Sequence, residues 1–396
     1  MSASVRTQVA IVGGGPAGLM LAQLLHLRGI ETIVLESSSR DHVIERVRAG
    51  VLEQGTVDLL HEAGVGARLD REGLHHGGVH IAFGGERHAV DFERLTGGRA
   101  ITIYGQNEVV RDLLDARTEA GHPPLFGVTD VALHDLDSVR PRVAFTDLDG
   151  FRREILCDVV AGCDGFHGVC RSSMPASATQ VFERAHPFAW LGVLADAPPS
   201  AEWLVYSLHE RGFALFSMRS PTVTRLYLQV APDEDLDRWS DDRIWNELTT
   251  RLSTNDGWRP HAGPIIQKSI TGMRSFMCEP IRHGRLFLAG DAAHIVPPTG
   301  AKGLNLAMAD VQRLAEALGE SFASGRQTGL DAYSDRGLRR AWRAQRFSWW
   351  MTSALHVAPD ATPFDRRRQL ADLDYLVSSQ AAMTSLAENY VGTPFD

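Results

Sequence analysis

Residues 7–18, TQVAIVGGGPAG, constrain this chain more than any other stretch. A short β-branched run reads as a buried strand and feeds straight into Gly13-x-Gly15-x-x-Gly18. The next residues, LMLAQLLHLRG, read as a helix that closes at Gly29. ETIVLE (31–36) is a second strand, so the chain opens as a βαβ unit. Glycines at this spacing, with the small Ala17 between them, let the backbone turn tightly. A pyrophosphate can then approach the N-terminus of the helix. Glu36 ends the second strand, 21 residues after Gly15 (36 minus 15), where an acid binds ribose hydroxyls. A glycine-rich turn alone is a weak signal. Strand, turn, helix and acid in register make it a dinucleotide fingerprint. Only one such fingerprint exists, so either one dinucleotide is used or a second docks without a Rossmann unit of its own.

The fold class expected is α/β. A Rossmann-like nucleotide domain carries an inserted β-rich domain and a helical C-terminal region. The nucleotide domain is expected over 1–73, 101–180 and 274–340, the insert over 74–100 and 181–273, and the helical region over 341–396. VLEQGTVDLLHEAGV (51–65) and NEVVRDLLDARTEAG (107–121) have helical spacing, and REILCDVVAGCDG (153–165) reads as one strand with a polar end. Residues 185–272 alternate as antiparallel strands, in WLVYSLHE, GFALFSMRS and VTRLYLQVA, interrupted by one helix, DDRIWNELTTRL. RLFLAGD (285–291) returns to a buried strand, and 301–356 reads helical.

Composition excludes several classes. A formal net charge of −9 over 396 residues argues against a nucleic-acid partner. The apolar run 9–29 contains GGGPAG and His26 and lacks a cleavage site, so neither a leader nor a membrane span is expected. Four cysteines form no CxxC pair, which fits a reduced, cytoplasmic protein. His75, His76 and His80 are close in sequence but lack a third-ligand pattern or a carboxylate, so no metal is expected.

Two further segments carry chemistry. CDGFHGVCR (163–171) follows a strand and offers His167 and Arg171 beside Asp164 and Gly165. GDAAHIVPPTGAKGLN (290–305) places Asp291 after a strand, where it can accept from sugar-like hydroxyls. Its rigid Pro297-Pro298 turn leads to a helix start at Gly303, Leu304 and Asn305, whose amides can stabilise negative charge. In the β-rich region, Ser217 and Arg219 are two residues apart on a strand and share a face. Arg219 is a forked donor suited to a carboxylate.

With RAGVLEQGTVDLL, YGQNEVVRDL, GCDGFHGVCR, RGFALFSMRS, RFSWWMTSALH and AENYVG, these segments resemble the single-component FAD-dependent aromatic hydroxylases, from residue 7 to residue 395. The resemblance implies FAD as cofactor, NADH or NADPH as co-substrate, O2, and 4-hydroxybenzoate as substrate. The implied reaction is hydroxylation beside the phenol oxygen by way of a flavin C4a-hydroperoxide. It implies that Gly13, Gly15, Ala17, Gly18 and Glu36 hold the adenosine part of FAD. Arg46, Val47, Arg48, Ala49, Gly50, Val51, Gln106, Asp164, Arg225, Asp291, Gly303, Leu304 and Asn305 meet the rest of it. Arg219 holds the substrate carboxylate with Ser217, Met218 and Tyr227, and the carbonyl of Pro298 faces the ring. Tyr206 meets the phenol oxygen, Tyr390 meets Tyr206, and His76 ends a proton path towards solvent. His167, Arg171 and Arg274 match positions linked to the nicotinamide nucleotide. A homodimer is implied as well. The loop after Glu36 departs from NADPH-preferring relatives, which carry arginine at Ser37 and tyrosine at His42; only Arg40 remains nearby, so NADH use is expected to be open. The same scaffold could act on another para-substituted benzoate, such as 4-aminobenzoate or 3,4-dihydroxybenzoate. A flavin-binding sensor without turnover is the reading from a different class.

Overall fold

The computed structural model describes residues 4–45 and 50–395. Arg46, Val47, Arg48 and Ala49, expected beside the cofactor, lie outside the described residues.

A five-stranded sheet takes its central strands from three distant parts of the chain. Val9–Val12 lies between Thr32–Leu35 and Val159–Gly162, and Leu286–Leu288 flanks the last of these, all parallel. These runs are short, apolar and largely buried, as strands covered on both faces must be. Arg282–His283 closes one edge as an antiparallel hairpin. The helix Pro16–Leu27 starts with proline, which has no N–H to lose there, and Gly29 takes the left-handed conformation at φ 70° just beyond its end.

An eight-stranded sheet forms the second unit. Its order is His294–Ile295, Ile265–Glu279, Gln180–Asp196, Val223–Val230, Gly212–Met218, Leu204–His209, Gly78–Phe83 and Glu86–Asp91. Period two sorts its side chains. Phe213, Leu215, Tyr206 and Leu208 join the C-terminal helices in one core. Ala214, Phe216, Val205 and Leu228 pack on the other side against the helix Asp241–Leu252. The helices Tyr333–Leu355, Pro363–Ser378 and Gln380–Val391 cover the first face.

Two readings of local structure change. Val51–Glu53 does not begin the helix expected from residue 51: it pairs with Ile101–Ile103 in a three-stranded sheet, and the helix is Gln54–Glu62. Tertiary pairing overrides the helical spacing there. Likewise 153–165 is two strands rather than one. Arg152–Leu156 joins a four-stranded sheet, and the chain then crosses to Val159–Gly162 in the parallel sheet. Among the described residues no helix is long and apolar enough to cross a membrane.

Candidate functional site

The opening turn has an outer opening and a closed inner side. Gly13 sits at φ 105°, and a Cβ on it would lie 2.2 Å from the carbonyl oxygen of Cys163. A Cβ on Gly18 would lie 2.0 Å from the carbonyl oxygen of Gly13. Both glycines are required by close packing. Gly15 differs: nothing lies within 4 Å of its Cβ position. It caps the helix Pro16–Leu27 without a side-chain hydrogen bond, and the first turn holds no acid. Open space therefore meets uncapped N–H groups, which suits a phosphate anion. Ala17 is buried beneath. Glu36 accepts from the N–H of Gly14 at 2.7 Å and of Ser38 at 2.8 Å, which fixes its carboxylate at the rim. Asp164 accepts from the N–H of Cys170 with one oxygen, and its buried Oδ1 has no partner among the described residues. A hydroxyl donor is what that oxygen lacks.

The second half of the site is the 290–305 segment. Gly290 turns at φ 63° and donates its N–H to Asp310 Oδ2 at 3.0 Å. The same oxygen is 2.7 Å from His294 Nε2, and both side chains are buried. Burial alone would lower the His294 pKa, but the Asp310 carboxylate outweighs it and the pKa is raised. This pair pins the turn that presents Asp291. Pro298 opens a short 3₁₀ turn and its carbonyl accepts the N–H of Ala301 at 2.9 Å. The helix Gly303–Ser324 then starts with no side-chain cap and no acid in its first turn. Gly303 faces open space. Leu304 packs against the core. These donors suit an electron-rich edge such as that of a flavin ring.

Asn305 is fully engaged. Its oxygen accepts from Glu53 N and Thr56 Oγ1, and its nitrogen donates to the carbonyls of Val51 and Ala301. Its side chain therefore ties the helix start to the Val51–Glu53 strand. Beside it lies a contact that sequence reasoning missed. Lys302 pairs with Glu53 at 2.5 Å and donates to the carbonyl of Tyr390 at 2.9 Å, with both charged side chains buried.

One face of the eight-stranded sheet gathers residues expected on the substrate side. Ser217 pairs in register with Arg225 and donates to its carbonyl at 2.9 Å. Met218 is buried on the opposite face. Arg219 is half-buried and hydrogen-bonds Tyr227. Gly50 makes room for it, since a Cβ there would lie 2.6 Å from Arg219 Nη1 and 2.4 Å from the carbonyl oxygen of Tyr104. Arg225 is buried over the Tyr227 ring at 5.1 Å, and its Nε and Nη1 have no hydrogen-bond partner among the described residues. Gln106 begins the helix Gln106–Glu119 nearby in sequence.

On the same face Tyr206 pairs in register with Leu215, and its hydroxyl is hydrogen-bonded to that of Tyr390 on the overlying helix; each residue is 1% exposed. Burial raises the pKa of both phenols well above the ordinary value, so both stay protonated at neutral pH. His76 is 2% exposed, and its Nδ1 has no partner among the described residues. Burial, helped by the charge of His75, holds its pKa down at about 4.

His167, Arg171 and Arg274 come together around a residue not singled out from sequence, Phe166. The Arg171 and Arg274 guanidiniums lie 4.9 and 4.5 Å from its ring, and the His167 ring meets it edge-on at 4.9 Å. Arg171 also donates to the carbonyls of Ala292 and Phe166. Arg274 pairs with Glu183 at 3.2 Å. Beyond Glu36, Arg40 opens the short helix Arg40–Glu45 and pairs with Asp115 at 3.1 Å.

Residues 6–348 match a family model described as an FAD binding domain. A p-hydroxybenzoate hydroxylase of Acinetobacter baylyi is 50% identical over 393 residues, spanning 99% of this chain and 97% of that protein. A 3-(3-hydroxy-phenyl)propionate/3-hydroxycinnamic acid hydroxylase of Burkholderia vietnamiensis is 27% identical over 78% of this chain, which covers 56% of that protein. The solved structure of a p-nitrophenol 4-monooxygenase from Pseudomonas putida superposes with a TM-score of 0.83 at 20% identity, over 98% of this chain and 99% of that one.

Proposed function

The chain belongs to the FAD-dependent aromatic hydroxylases, and from that premise we propose that it converts 4-hydroxybenzoate to 3,4-dihydroxybenzoate with O2 and NADH or NADPH. One observation carries the choice of substrate. Ser217, Tyr227 and Tyr206 share one face of the large sheet; Arg219 follows the end of the Ser217 strand and hydrogen-bonds Tyr227, and Tyr390 meets Tyr206 from the helix Gln380–Val391 packed over that face. A rigid ring with a carboxylate at one end and a hydroxyl at the other answers both.

FAD, when bound, supplies hydride acceptance and the activation of O2. The chain would hold it with the Gly13–Gly18 turn, Glu36, Asp164, Asp291 and the helix start at Gly303–Asn305. Arg219 orients the substrate through two parallel N–H donors. Tyr206 accepts the proton of the substrate phenol at its hydroxyl oxygen while passing its own proton to Tyr390. Neither tyrosine needs to ionise, which suits their raised pKa values. His76, neutral at pH 7, is the acceptor further along. The resulting phenolate is far more electron-rich at C3 than the phenol. The Pro297-Pro298 turn walls the site, and the cores on either side keep water out. Arg171 and Arg274, gathered about Phe166, provide the cationic surface for the nicotinamide nucleotide. The protein is proposed to work in the cytoplasm, in keeping with its four buried free cysteines, and as a homodimer.

The test is oxidation of NADH and of NADPH by the FAD-loaded protein, with and without 4-hydroxybenzoate, counting 3,4-dihydroxybenzoate and H2O2. Substrate-triggered oxidation that yields mainly the diol is the expected result. Triggered oxidation yielding mainly H2O2 would make 4-hydroxybenzoate an effector and send the search to other para-substituted benzoates. No stimulation at all would remove the assignment.

A further inference from the structure

The helix Tyr333–Leu355 ends at His356, and there the chain is fastened to the large sheet by side chains. Trp190 pairs in register with Gln229, two residues along its strand from Tyr227. Phe213 stands two residues before Leu215, which pairs with both Tyr206 and Tyr227. Period two puts Trp190, Gln229 and Phe213 on the face that carries Tyr206 and Tyr227, one row further along. The Gln229 amide exchanges two hydrogen bonds with the Val357 backbone, accepting its N–H at 3.0 Å and donating to its carbonyl at 2.6 Å. Gln369 Nε2 donates to the carbonyls of Ser353, Ala354 and His356, so the helix end is satisfied although it is buried. Thr352, in the last turn, donates from its hydroxyl to Thr299 in the Pro298–Gly300 turn at 2.9 Å.

This anchorage lays the His356 ring, 3% exposed, on the row of Trp190 and Phe213. Its Nδ1 lies 2.9 Å from the Thr352 carbonyl, which can only accept, so Nδ1 carries the proton. Its Nε2 lies 2.7 Å from the Trp190 N–H, which can only donate, so Nε2 accepts. Both nitrogens are thereby occupied, and the proposed reaction uses neither. The imidazole also stacks on Phe213 at 4.3 Å and on Phe188 at 4.6 Å. The two rings it holds, Trp190 and Phe213, lead to opposite ends of the proposed substrate. Trp190 lies 4.7 Å from the ring of Tyr227, which hydrogen-bonds Arg219. Phe213 lies 6.2 Å from the ring of Tyr206, which is hydrogen-bonded to Tyr390. One imidazole therefore backs the carboxylate end and the phenol end together.

We propose that His356 is a positioning residue that fixes the spacing of the Tyr227 and Tyr206 ends of the site, and so the length of para-hydroxy acid it accepts. The inference rests on 4-hydroxybenzoate being the substrate. His356 touches no reacting atom, and no bond to it forms or breaks. The benzoate ring holds its carboxylate and hydroxyl at one fixed separation, so it cannot follow a shift of Tyr227 against Tyr206. An acid longer by a methylene, 4-hydroxyphenylacetate, has a torsion that can. Loss of the imidazole should therefore narrow the preference for the shorter acid.

The experiment is titration of the FAD-loaded enzyme with 4-hydroxybenzoate and with 4-hydroxyphenylacetate, followed by flavin absorbance and read as the ratio of the two Kd values. In His356→Leu the preference for 4-hydroxybenzoate should fall by about tenfold. His356→Gln should recover most of it, because its amide can accept from Trp190 and donate to Thr352. Leu248→Ala, a cavity in the core on the opposite face, should lower stability and leave the ratio at the parent's value. Trp190→Phe removes the same hydrogen bond from its other side, keeps a ring against Tyr227, and should shift the ratio in the same direction. It decides the question if His356→Leu does not retain FAD. A parent-like ratio in His356→Leu, or in Trp190→Phe where that variant stands in for it, would overturn the positioning role and leave the substrate assignment intact. A parent enzyme whose flavin absorbance does not respond to 4-hydroxybenzoate would overturn the substrate assignment and this inference with it.

Discussion

Tyr206 and Tyr390 donate and accept between their own hydroxyls across 184 residues of chain, inside a core that leaves each ring 1% exposed. One comes from an inner strand of the large sheet and the other from the helix Gln380–Val391 laid over it. Neither ring has the solvent contact an ordinary tyrosine has, and each hydroxyl is hydrogen-bonded to the other.

Replacing Tyr206 by Phe should therefore separate binding from hydroxylation. Substrate binding and flavin reduction are expected to persist, while the hydroxylation rate falls about 10²-fold and H2O2 takes the place of the diol. The measurement is the ratio of the two products per NADH or NADPH consumed. An unchanged ratio would remove Tyr206 from the proton path.

Arg219 and Gly50 form the second testable contact. Arg219→Lys keeps the charge and loses the fork, and should weaken 4-hydroxybenzoate binding by about 2 kcal/mol, roughly 30-fold in Kd. Gly50→Ala should act in the same direction with the arginine still present, because the new Cβ would stand 2.6 Å from its Nη1 and displace it. Equilibrium titration of both variants decides the matter. Parent-like affinity in Arg219→Lys would place the carboxylate elsewhere.

The Asp310–His294 pair is expected to matter for cofactor retention. Asp310→Asn leaves His294 without its buried carboxylate and should cost about 3 kcal/mol in denaturant unfolding. Because Gly290 hangs from the same oxygen, FAD should also dissociate faster. A destabilised variant that retains FAD as the parent does would restrict the pair to a folding role.

Burial also shapes the pH dependence of stability. It pushes His76 down to about 4 and His356 down to about 3. His356 is held neutral between the Trp190 N–H, 2.7 Å from Nε2, and the Thr352 carbonyl, 2.9 Å from Nδ1. The unfolded chain binds protons on these groups first, near pH 6.5. Stability from them is thus complete above that pH and is lost as pH falls from 6.5 towards 4 and 3. At pH 5 each should account for about 2 kcal/mol. Unfolding of the parent and of His76→Gln at pH 7 and pH 5 should show a smaller acid loss in the variant by about that amount. Equal losses would mean that His76 is not desolvated in solution.

The coenzyme prediction rests on Ser37 and Arg40. Arg40 pairs with Asp115 at the surface, so a 2′-phosphate at Ser37 would have to compete with that contact for its guanidinium. Ser37→Arg should raise kcat/KM for NADPH relative to NADH by about tenfold. No change in that ratio would place coenzyme selection outside this loop.

Much of this molecule is legible because its sites are written locally. The Gly13–Gly18 turn, Glu36 and the 290–305 segment each hold their spacing in a few residues, and the alternation in GFALFSMRS is enough to separate Ser217 from Met218, although the strand ends at Met218 and Arg219 lies one residue beyond it. What is not legible depends on distant partners. Lys302 looks like a solvated lysine until Glu53, 249 residues away, is found against it. Phe166 looks like loop filler until Arg171 and Arg274 close on it. Asp310 leaves a trace, as a lone acid among the apolar residues of GLNLAMADV, yet nothing in the sequence names His294 as its partner. The strand at Val51–Glu53 is hidden by a helical spacing that is real but begins three residues later.

The eight-stranded sheet runs from the His294–Ile295 strand, through Ser217 and Tyr206, to Gly78–Phe83 and the edge strand Glu86–Asp91. Every station on it is set by one register. A single residue inserted within the Gly212–Met218 strand would turn Ser217 away from the ring and leave Met218 facing it. A lineage that adapts this enzyme to a new aromatic acid, or a laboratory that redesigns it, can therefore exchange side chains strand by strand. Changes of length are confined to the turns, where the sheet keeps no count.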